Sequence, residues 1–204
     1  MKTGKHGGDG DAASMARCKS DLRSLVRSAL KGMAAEKVTS DSAKIRALLQ
    51  QQPFWRTAET ILFFAPLPDE VNVWPLMEEM LPTGKTVALP RFDAASNDYL
   101  ACRIQHPQTE ISPGQFGIRE PNRACPELPL ERLGLVLVPG VAFDLSGGRL
   151  GRGRGFYDRL LAETRTIKCG VAFDEQIVSS IPAGARDIKM DFVLTPTRCA
   201  ACGP

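Results

Sequence analysis

The feature that most constrains the fold is a series of short apolar runs separated by segments of helical periodicity. The strongest apolar run predicts a strand at 135–143, followed by a glycine-rich loop (144–155) and an apolar helix (156–163). Other apolar runs are "TILFFAPL", "KTVALP", "YLACRI", "KCGVAF" and "DFVLT". Short apolar strands that alternate with helices are typical of α/β proteins. The sequence therefore predicts a single α/β domain with a largely parallel sheet flanked by helices.

The two ends of the chain carry weaker patterns. Residues 1–16 are rich in Gly, Asp and Ser without periodicity, which predicts a disordered lead-in. A first helix is expected to begin near Ser20, with an apolar stripe formed by Leu22, Leu25, Val26, Ala29, Leu30 and Met33. A capping cluster at Thr39 to Asp41 predicts a second helix that ends before Pro53. We expect one domain over 17–198 and a short tail over 199–204.

Positive charge is concentrated in one short segment. The formal net charge is +3, and residues 149–159 carry four arginines and one aspartate, so this segment alone accounts for the excess. Proteins that bind nucleic acid usually spread basic residues over a broad face. The concentration of charge favours a small anionic ligand.

The sequence predicts a cytoplasmic protein, on two grounds. One is its cysteine usage, and the other is that no apolar segment is long enough to act as a leader or to cross a membrane. The six cysteines follow no regular framework, and we interpret them as reduced. Cys199 and Cys202 have CxxC spacing, but zinc needs further ligands and no second pair exists. We therefore interpret this pair as incidental.

The glycine-rich loop has the context of a phosphate site. In open α/β sheets, ligands bind outside the carboxyl ends of the strands, and glycines let backbone N–H groups approach phosphate oxygens. The loop is not a Walker A motif, because no Lys-Ser or Lys-Thr follows the glycines. It is not the GxGxxG dinucleotide-binding motif either, because Gly151, Gly153 and Gly155 give GxGxG. The alternative is a disordered arginine-glycine tract that binds RNA. The apolar elements on both sides favour phosphate binding.

Five segments, in order along the chain, carry a more specific pattern. They are "KSDLR" (19–23), "PLPDEVNVWPL" (66–76), "FGIREP" (116–121), "VPGVAFD…GGRLGRGRGFYDRLL" (138–161) and "DIKMD" (187–191). Together they resemble the 5-formyltetrahydrofolate cyclo-ligase family, also called methenyltetrahydrofolate synthetases. The chain departs from the family pattern at Arg154, where the family usually has Lys, and at Phe156, where it often has Tyr.

The resemblance implies a reaction and its ligands. The family converts 5-formyltetrahydrofolate and ATP to 5,10-methenyltetrahydrofolate, ADP and phosphate, with Mg²⁺ and through a phosphorylated formyl (N5-iminium phosphate) intermediate. It also implies an architecture that resembles the sugar-phosphate isomerases and CoA-transferases. The expected partners are a reduced folate and ATP, with no nucleic acid and no membrane, and the expected state is a monomer.

The resemblance also implies roles for individual residues. Arg152 and Arg154 would be catalytic. The residues implied to bind ATP are Lys19, Arg23, Arg149, Gly151, Arg152, Gly153, Arg154, Gly155 and Tyr157. The residues implied to bind the folate are Glu70, Phe116, Arg152 and Phe156. Asp158 and Asp187 would be linked to Mg²⁺, which takes oxygen ligands.

Several of these residues have simpler interpretations. Lys19 and Arg23 could belong to a solvated basic stripe that continues to Arg27. Asp158 could be a salt-bridge partner of Arg154 or Arg159. Glu70 could be an ordinary acid ahead of a helix, and Asp69 suits that role better. Phe64 is weak as a pocket residue, since an aromatic in an apolar strand is more often core. No spacing argument decides the role of Glu120, and Asp191 is treated mainly as surface charge.

Two other functions remain open at this point. One is an isomerase or transferase on the same fold that uses no ATP, which ATP dependence of turnover would distinguish. The other is an RNA-binding module that uses the arginine-glycine loop, which a steep salt dependence of RNA binding would reveal.

Overall fold

The computed structural model describes residues 8–114 and 117–203. The helices are α1 (Gly8–Lys31), α2 (Ala35–Gln51), α3 (Pro53–Thr57), α4 (Trp74–Met80), α5 (Pro107–Glu110) and α6 (Phe156–Ala162). Short 3-10 turns occur at Leu81–Thr83, Leu130–Arg132 and Asp174–Gln176. Within the described ranges, no helix combines the length and apolar character needed to span a membrane.

The described residues form eleven strands, and seven of them make one mixed sheet. The strands are β1 (Thr60–Leu62), β2 (Thr86–Asp93), β3 (Asp98–Ile104), β4 (Ile111–Pro113), β5 (Arg119–Pro121), β6 (Leu135–Val138), β7 (Ala142–Phe143), β8 (Arg149–Leu150), β9 (Ile167–Val171), β10 (Phe192–Leu194) and β11 (Cys199–Ala201). The order in the large sheet is β11-β10-β9-β6-β1-β2-β3. Its five central strands run parallel, and β3 and β11 are antiparallel edges. The predicted fold class, α/β with a largely parallel sheet flanked by helices, is confirmed.

The apolar runs form the central strands because both faces of the sheet are covered. Every residue of β6 is buried. Alternate residues serve different cores: Ile61 packs with the residues on one face, and Leu62 with those on the other. Two short ribbons, β4–β5 and β7–β8, stand apart from the large sheet. The fold thus brings the ends of β1, β2 and β6 to one edge.

The predicted strand at 135–143 is wrong in its extent. It is divided by Pro139 and Gly140 into β6, which lies in the large sheet, and β7, which pairs with β8. Proline lacks the N–H that a sheet interior requires. The apolar run at 60–67 is likewise a strand only over Thr60–Leu62.

The first helix begins earlier than the predicted Ser20. It starts at Gly8, so residues 8–16, which we placed in the lead-in, are helical. Val26 and Leu30 of the predicted stripe are buried, whereas Leu25 is 67% exposed. The buried stripe is therefore narrower than the sequence suggested, because α1 packs on the domain along one line. The second helix also starts earlier, at Ala35.

The predicted tail contains an edge strand. Cys199 to Ala201 form β11, which pairs with β10, because Phe192–Leu194 otherwise has an open edge there. Cys199 packs against one core and Cys202 against the other, so the two thiols lie on opposite faces of the sheet. This placement agrees with an incidental CxxC pair. All six cysteines are free.

Candidate active site

A cavity of about 410 Å³ opens at the carboxyl edge of the parallel strands. Its walls include residues just beyond β1 and β6, such as Phe64 and Gly140, and the glycine-rich loop between β8 and α6. The predicted site residues that line this cavity are Lys19, Arg23, Glu70, Arg149, Gly151, Arg152, Gly153, Arg154, Gly155, Phe156, Tyr157, Asp158 and Asp187. Phe116 lies outside the described residues. The fold thus brings four distant segments of the chain to one cavity.

The part of the glycine-rich loop between β8 and α6 needs glycine at two positions. Gly153 has φ +103° and Gly155 has φ +72°, and side chains are rarely tolerated there. Gly155 directly precedes α6. The loop is also tied to α1, since Arg23 Nε donates to the carbonyl of Gly151 at 2.8 Å. The loop is therefore an ordered wall of the cavity.

Arg149 is the buried cation of the site. Its side chain is 4% exposed, and its Nη2 pairs with Asp158 Oδ1 at 2.9 Å. Nη1 donates to the carbonyl of Pro139 at 3.3 Å, and Nε is buried with no hydrogen-bond partner among the described residues. Asp158 is thus a salt-bridge partner, but of Arg149 and not of Arg154 or Arg159. Arg159 pairs instead with Asp98 at 2.8 Å.

Asp187 is held by α1 and by its own turn. Its Oδ2 accepts from Lys19 Nζ and, at 2.7 Å, from the N–H of Gly184. Burial alone would raise the pKa of Asp187, but the Gly184 N–H and the Lys19 ammonium outweigh it, and the pKa is lowered. Lys19 therefore faces the cavity in an ion pair and is not part of a solvated stripe.

Glu70 and Arg152 form an ion pair in the cavity wall. Arg152 Nη2 lies 3.0 Å from Glu70 Oε1 and 2.7 Å from Asp69 Oδ1. The N–H of Leu67 donates to Glu70 Oε2 at 3.0 Å. Burial raises the pKa of Glu70, while Arg152 and the Leu67 N–H oppose the shift. Glu70 is 9% exposed, so its carboxylate is the buried acidic group of this wall.

Asp144 orders the turn that leads into the loop. Its Oδ1 accepts from Ser146 N at 2.9 Å, from Ser146 Oγ at 2.7 Å and from Gly148 N at 2.8 Å. Its Oδ2 accepts from the N–H of Ile181 at 2.8 Å. This buried carboxylate thus joins the strand that carries Arg149 to the segment that carries Asp187.

Sequence reasoning missed several cavity residues. Those not named as site residues are Ala65, Leu67, Pro90, Tyr99, Ile118, Pro139, Gly140 and Leu150. Pro139 and Gly140 follow β6. They could have been identified because ligands bind outside the carboxyl ends of the strands in open α/β sheets. Tyr99 lies on an antiparallel edge strand, and nothing in its local sequence marks it. Of the residues left open, Asp191 pairs with Lys168, and Glu120 is buried and accepts from the N–H of Phe92 at 3.2 Å.

The carboxylates of the cavity suit a magnesium ion that is also bound by a phosphate ligand better than one held by the protein alone. No group of three or more His, Cys, Asp or Glu that could hold a metal occurs among the described residues. Asp158 and Asp187 both line the cavity, each beside one cation. Mg²⁺ is commonly held by one or two carboxylates together with substrate phosphates and water. The donor set therefore fits an ion that arrives with a phosphate ligand.

Comparisons with known proteins agree with the resemblance in the sequence. A model of the 5-formyltetrahydrofolate cyclo-ligase family matches residues 15–196. The 5-formyltetrahydrofolate cyclo-ligase of Escherichia coli strain K12 is 37% identical over 145 residues, which cover 69% of this chain and 80% of that protein. The mouse enzyme of the same name is 28% identical over 199 residues, covering 90% and 96%. The solved structure of a 5,10-methenyltetrahydrofolate synthetase from Aquifex aeolicus has a TM-score of 0.81 and 32% identity, covering 91% of this chain and 93% of that one.

Proposed function

The chain belongs to the 5-formyltetrahydrofolate cyclo-ligase family, and from this premise we propose that it cyclises 5-formyltetrahydrofolate to 5,10-methenyltetrahydrofolate with ATP and Mg²⁺. ADP and phosphate are the other products. The observation that supports the proposal best is that one cavity is lined both by a buried acid, Glu70, and by a set of cations from the glycine-rich loop and α1.

The acid and the cations suit the two ligands. A pterin ring presents several N–H donors, and a carboxylate accepts them with strong charge-assisted hydrogen bonds. Arginine forks and a lysine ammonium suit phosphate oxygens. Arg152 connects the acid to the loop cations, because its guanidinium contacts Glu70 and its backbone belongs to the loop. We therefore assign Glu70 and Phe156 to the folate, and Lys19, Arg23, Arg149 and Arg154 to ATP, with Arg152 shared.

The proposed chemistry is a phosphoryl transfer followed by ring closure. The formyl oxygen attacks the γ-phosphorus, the bond from that phosphorus to the ADP oxygen breaks, and an N5-iminium phosphate forms. N10 then attacks the activated carbon and loses its proton, and the carbon–oxygen bond breaks so that phosphate leaves. Amide oxygen is a poor leaving group until it is phosphorylated. The chain's part is to position the two ligands and to neutralise charge, which is how most phosphoryl transfer is catalysed.

A direct assay tests the proposal. Purified protein is mixed with ATP, Mg²⁺ and 5-formyltetrahydrofolate, and the absorbance of the methenyl product is followed. We expect turnover that requires ATP and releases one phosphate for each product formed. Turnover without ATP would favour the isomerase or transferase alternative. Absence of any turnover, together with RNA binding that weakens steeply with salt, would favour the RNA-binding alternative.

Replacing Asp158 or Asp187 with asparagine tests the magnesium assignment. Each change removes a charge with little change in volume, so we expect the Mg²⁺ concentration for half-maximal activity to rise about tenfold or more. Asp158→Asn is also expected to lower the free energy of unfolding by about 1.5–3 kcal/mol, because Arg149 stays buried without its ionic partner.

The matched control is Asp191→Asn, which removes a carboxylate that also pairs with a lysine but does not line the cavity. It should leave the Mg²⁺ dependence unchanged. If Asp158→Asn lost stability and yet titrated with Mg²⁺ like the parent, its carboxylate would be a salt-bridge partner only.

A further inference from the structure

Both tyrosines of the chain line the candidate active-site cavity. The sequence contains two tyrosines, Tyr99 on β3 and Tyr157 on α6, and their rings lie 5.9 Å apart in an edge-to-face arrangement. Tyr157 belongs to the segment 138–161 that resembles the cyclo-ligase family. Tyr99 comes from a different element, the antiparallel edge strand, and no role follows from its sequence context.

The Tyr99 ring is fixed by its neighbours. It packs against Phe156 with ring centroids 5.1 Å apart and against Phe92 at 6.3 Å. Asp98, next to it, is held by Arg159. The residue is 9% exposed. A ring held by three aromatic contacts keeps its hydroxyl in one place, which is what a specific ligand contact needs.

The Tyr99 hydroxyl has no hydrogen-bond partner in the part of the chain that the structure describes, although it belongs to a cavity wall. The hydroxyl is not one of the buried polar atoms that lack a partner; it opens into the cavity and is available to a ligand there. Burial, and after it the charge of Glu120, raise the pKa of the Tyr99 phenol to about 12, while Arg154 opposes the shift. The group is therefore a neutral O–H donor at any pH where the protein works.

The surroundings of Tyr99 define which ligand atom it meets. The Tyr99 ring contacts both Phe156 and Tyr157, with centroids 5.1 Å and 5.9 Å away. In the proposed function Phe156 binds the folate and Tyr157 belongs to the ATP-binding loop, so we place the formyl group, where the two ligands meet, beside Tyr99. Phe156, the ring in contact with Tyr99, carries no hydroxyl. Tyr99 is thus a phenol at the junction of the two ligand sites.

We propose, resting on the function proposed above, that Tyr99 is a specificity-determining contact whose hydroxyl donates a hydrogen bond to the formyl oxygen of the reduced folate. A carbonyl oxygen has two lone pairs. One accepts from Tyr99, and the other is left facing the γ-phosphorus. The contact selects a folate that carries an oxygen at this position and orients that oxygen for attack.

Tyr99→Phe tests the contact, because it removes the hydroxyl and keeps the ring packing. Binding of 5-formyltetrahydrofolate and of 5-methyltetrahydrofolate, which lacks the oxygen, is measured by calorimetry on the parent and the variant. A neutral hydrogen bond corresponds to about a twofold to tenfold change in affinity. We expect the variant to bind the formyl compound weaker by that factor and the methyl compound as the parent does.

Two results would overturn the proposal for Tyr99. Equal weakening of both folates would show a packing role, and unchanged binding of both would show that the hydroxyl does not meet the substrate. A parent that bound neither folate would instead overturn the proposed function, so the two failures are distinguishable.

A second measurement does not depend on mutation. Protein with 3-fluorotyrosine incorporated gives two fluorine resonances, which Tyr99→Phe and Tyr157→Phe identify. We expect the Tyr99 resonance to shift more with 5-formyltetrahydrofolate than with the 5-methyl compound, and to stay in place with a non-hydrolysable ATP analogue alone. Equal shifts with the two folates would contradict the contact to the formyl oxygen.

Discussion

Glu70→Gln is expected to lower kcat/KM for the reduced folate by about tenfold to a hundredfold. Glutamine keeps the size of the side chain but loses the charge that, in the proposed function, pairs with pterin donors, and its amide nitrogen cannot accept a hydrogen bond. A charge-assisted hydrogen bond contributes about 1.5–3 kcal/mol, and each 1.4 kcal/mol is about a factor of ten. Initial rates at varied folate concentration, with ATP saturating, give the measurement.

ATP affinity measured without folate is expected to change little in the same variant. Arg152, which Glu70 holds in the free protein, keeps its second partner, Asp69, at 2.7 Å. The matched control is Asp69→Asn, which removes the more exposed carboxylate beside Glu70 and should leave folate kinetics within about twofold, as is usual for exposed ion pairs. Equal weakening of both ligands in Glu70→Gln would indicate a general disturbance of the fold.

The pH dependence offers a second check on Glu70. Burial raises its pKa, so as pH falls this carboxylate takes up a proton earlier than an ordinary glutamate, and folate binding should weaken with it. The acid side of the kcat/KM profile is therefore expected to lie above the usual glutamate range in the parent. In Glu70→Gln that part of the profile should be absent, because the amide does not titrate.

The central elements could be predicted because their signals are local. β6, the loop and α6 follow one another within thirty residues, and each is recognised from apolar runs, glycines and helical spacing. The resemblance implied that residues from four segments meet at one site, and the binding of ligands at the carboxyl ends of parallel strands supported this for Glu70 and the loop. The cavity lining agrees with that expectation.

The side-chain pairings could not be predicted because they depend on register and on long-range packing. Arg152 meets Glu70 across 82 residues, and Arg149 takes Asp158 because the β7–β8 ribbon turns its side chain inward. Tyr99 reaches the cavity only because β3 pairs antiparallel with β2. No periodicity in a single segment contains this information.

The start of α1 could not be predicted for a similar reason. Glycine and aspartate lower the local helix propensity of residues 8–11, although the alanines and methionine of residues 12–16 raise it. Packing decides the outcome, since Met15 lies against Gly184 in the segment that carries Asp187. Tertiary contact thus extends the helix beyond the point where its apolar spacing begins.

Asp144→Ala is expected to lower the free energy of unfolding by about 3–5 kcal/mol, a large part of the 5–15 kcal/mol typical of a domain. Asp144 is 3% exposed, and its loss leaves the buried N–H of Ile181 and the partly buried N–H groups of Ser146 and Gly148 without their acceptor. Each unsatisfied buried donor costs about 1–3 kcal/mol. Urea unfolding at neutral pH measures the difference between parent and variant.

Asp93→Ala is the control. It tests whether the loss of stability in Asp144→Ala comes from the burial of the carboxylate or only from the number of hydrogen bonds it accepts. Asp93 accepts from Ser96 N, Ser96 Oγ and Ala95 N, much as Asp144 accepts in its own turn, but it does so on an exposed turn where water replaces the lost acceptor. Its removal should leave the unfolding midpoint within error of the parent. A loss as large as that of Asp144→Ala would contradict the argument from burial.

The effect of Asp144 should also depend on pH. Burial alone would raise its pKa, but the hydrogen bonds from Ser146, Gly148 and Ile181 outweigh burial, and the pKa in the folded protein is lowered. A group with a lowered folded pKa stabilises the protein above its unfolded pKa, about 3.9 for aspartate, and loses that contribution as pH falls through the folded value. The stability difference between parent and Asp144→Ala is therefore expected to be full at neutral pH and to shrink below about pH 4. The acid limb of activity that Glu70 sets should therefore lie at higher pH than this loss of stability. A stability difference that stayed constant down to pH 3 would show that the hydrogen bonds of Asp144 do not depend on its charge.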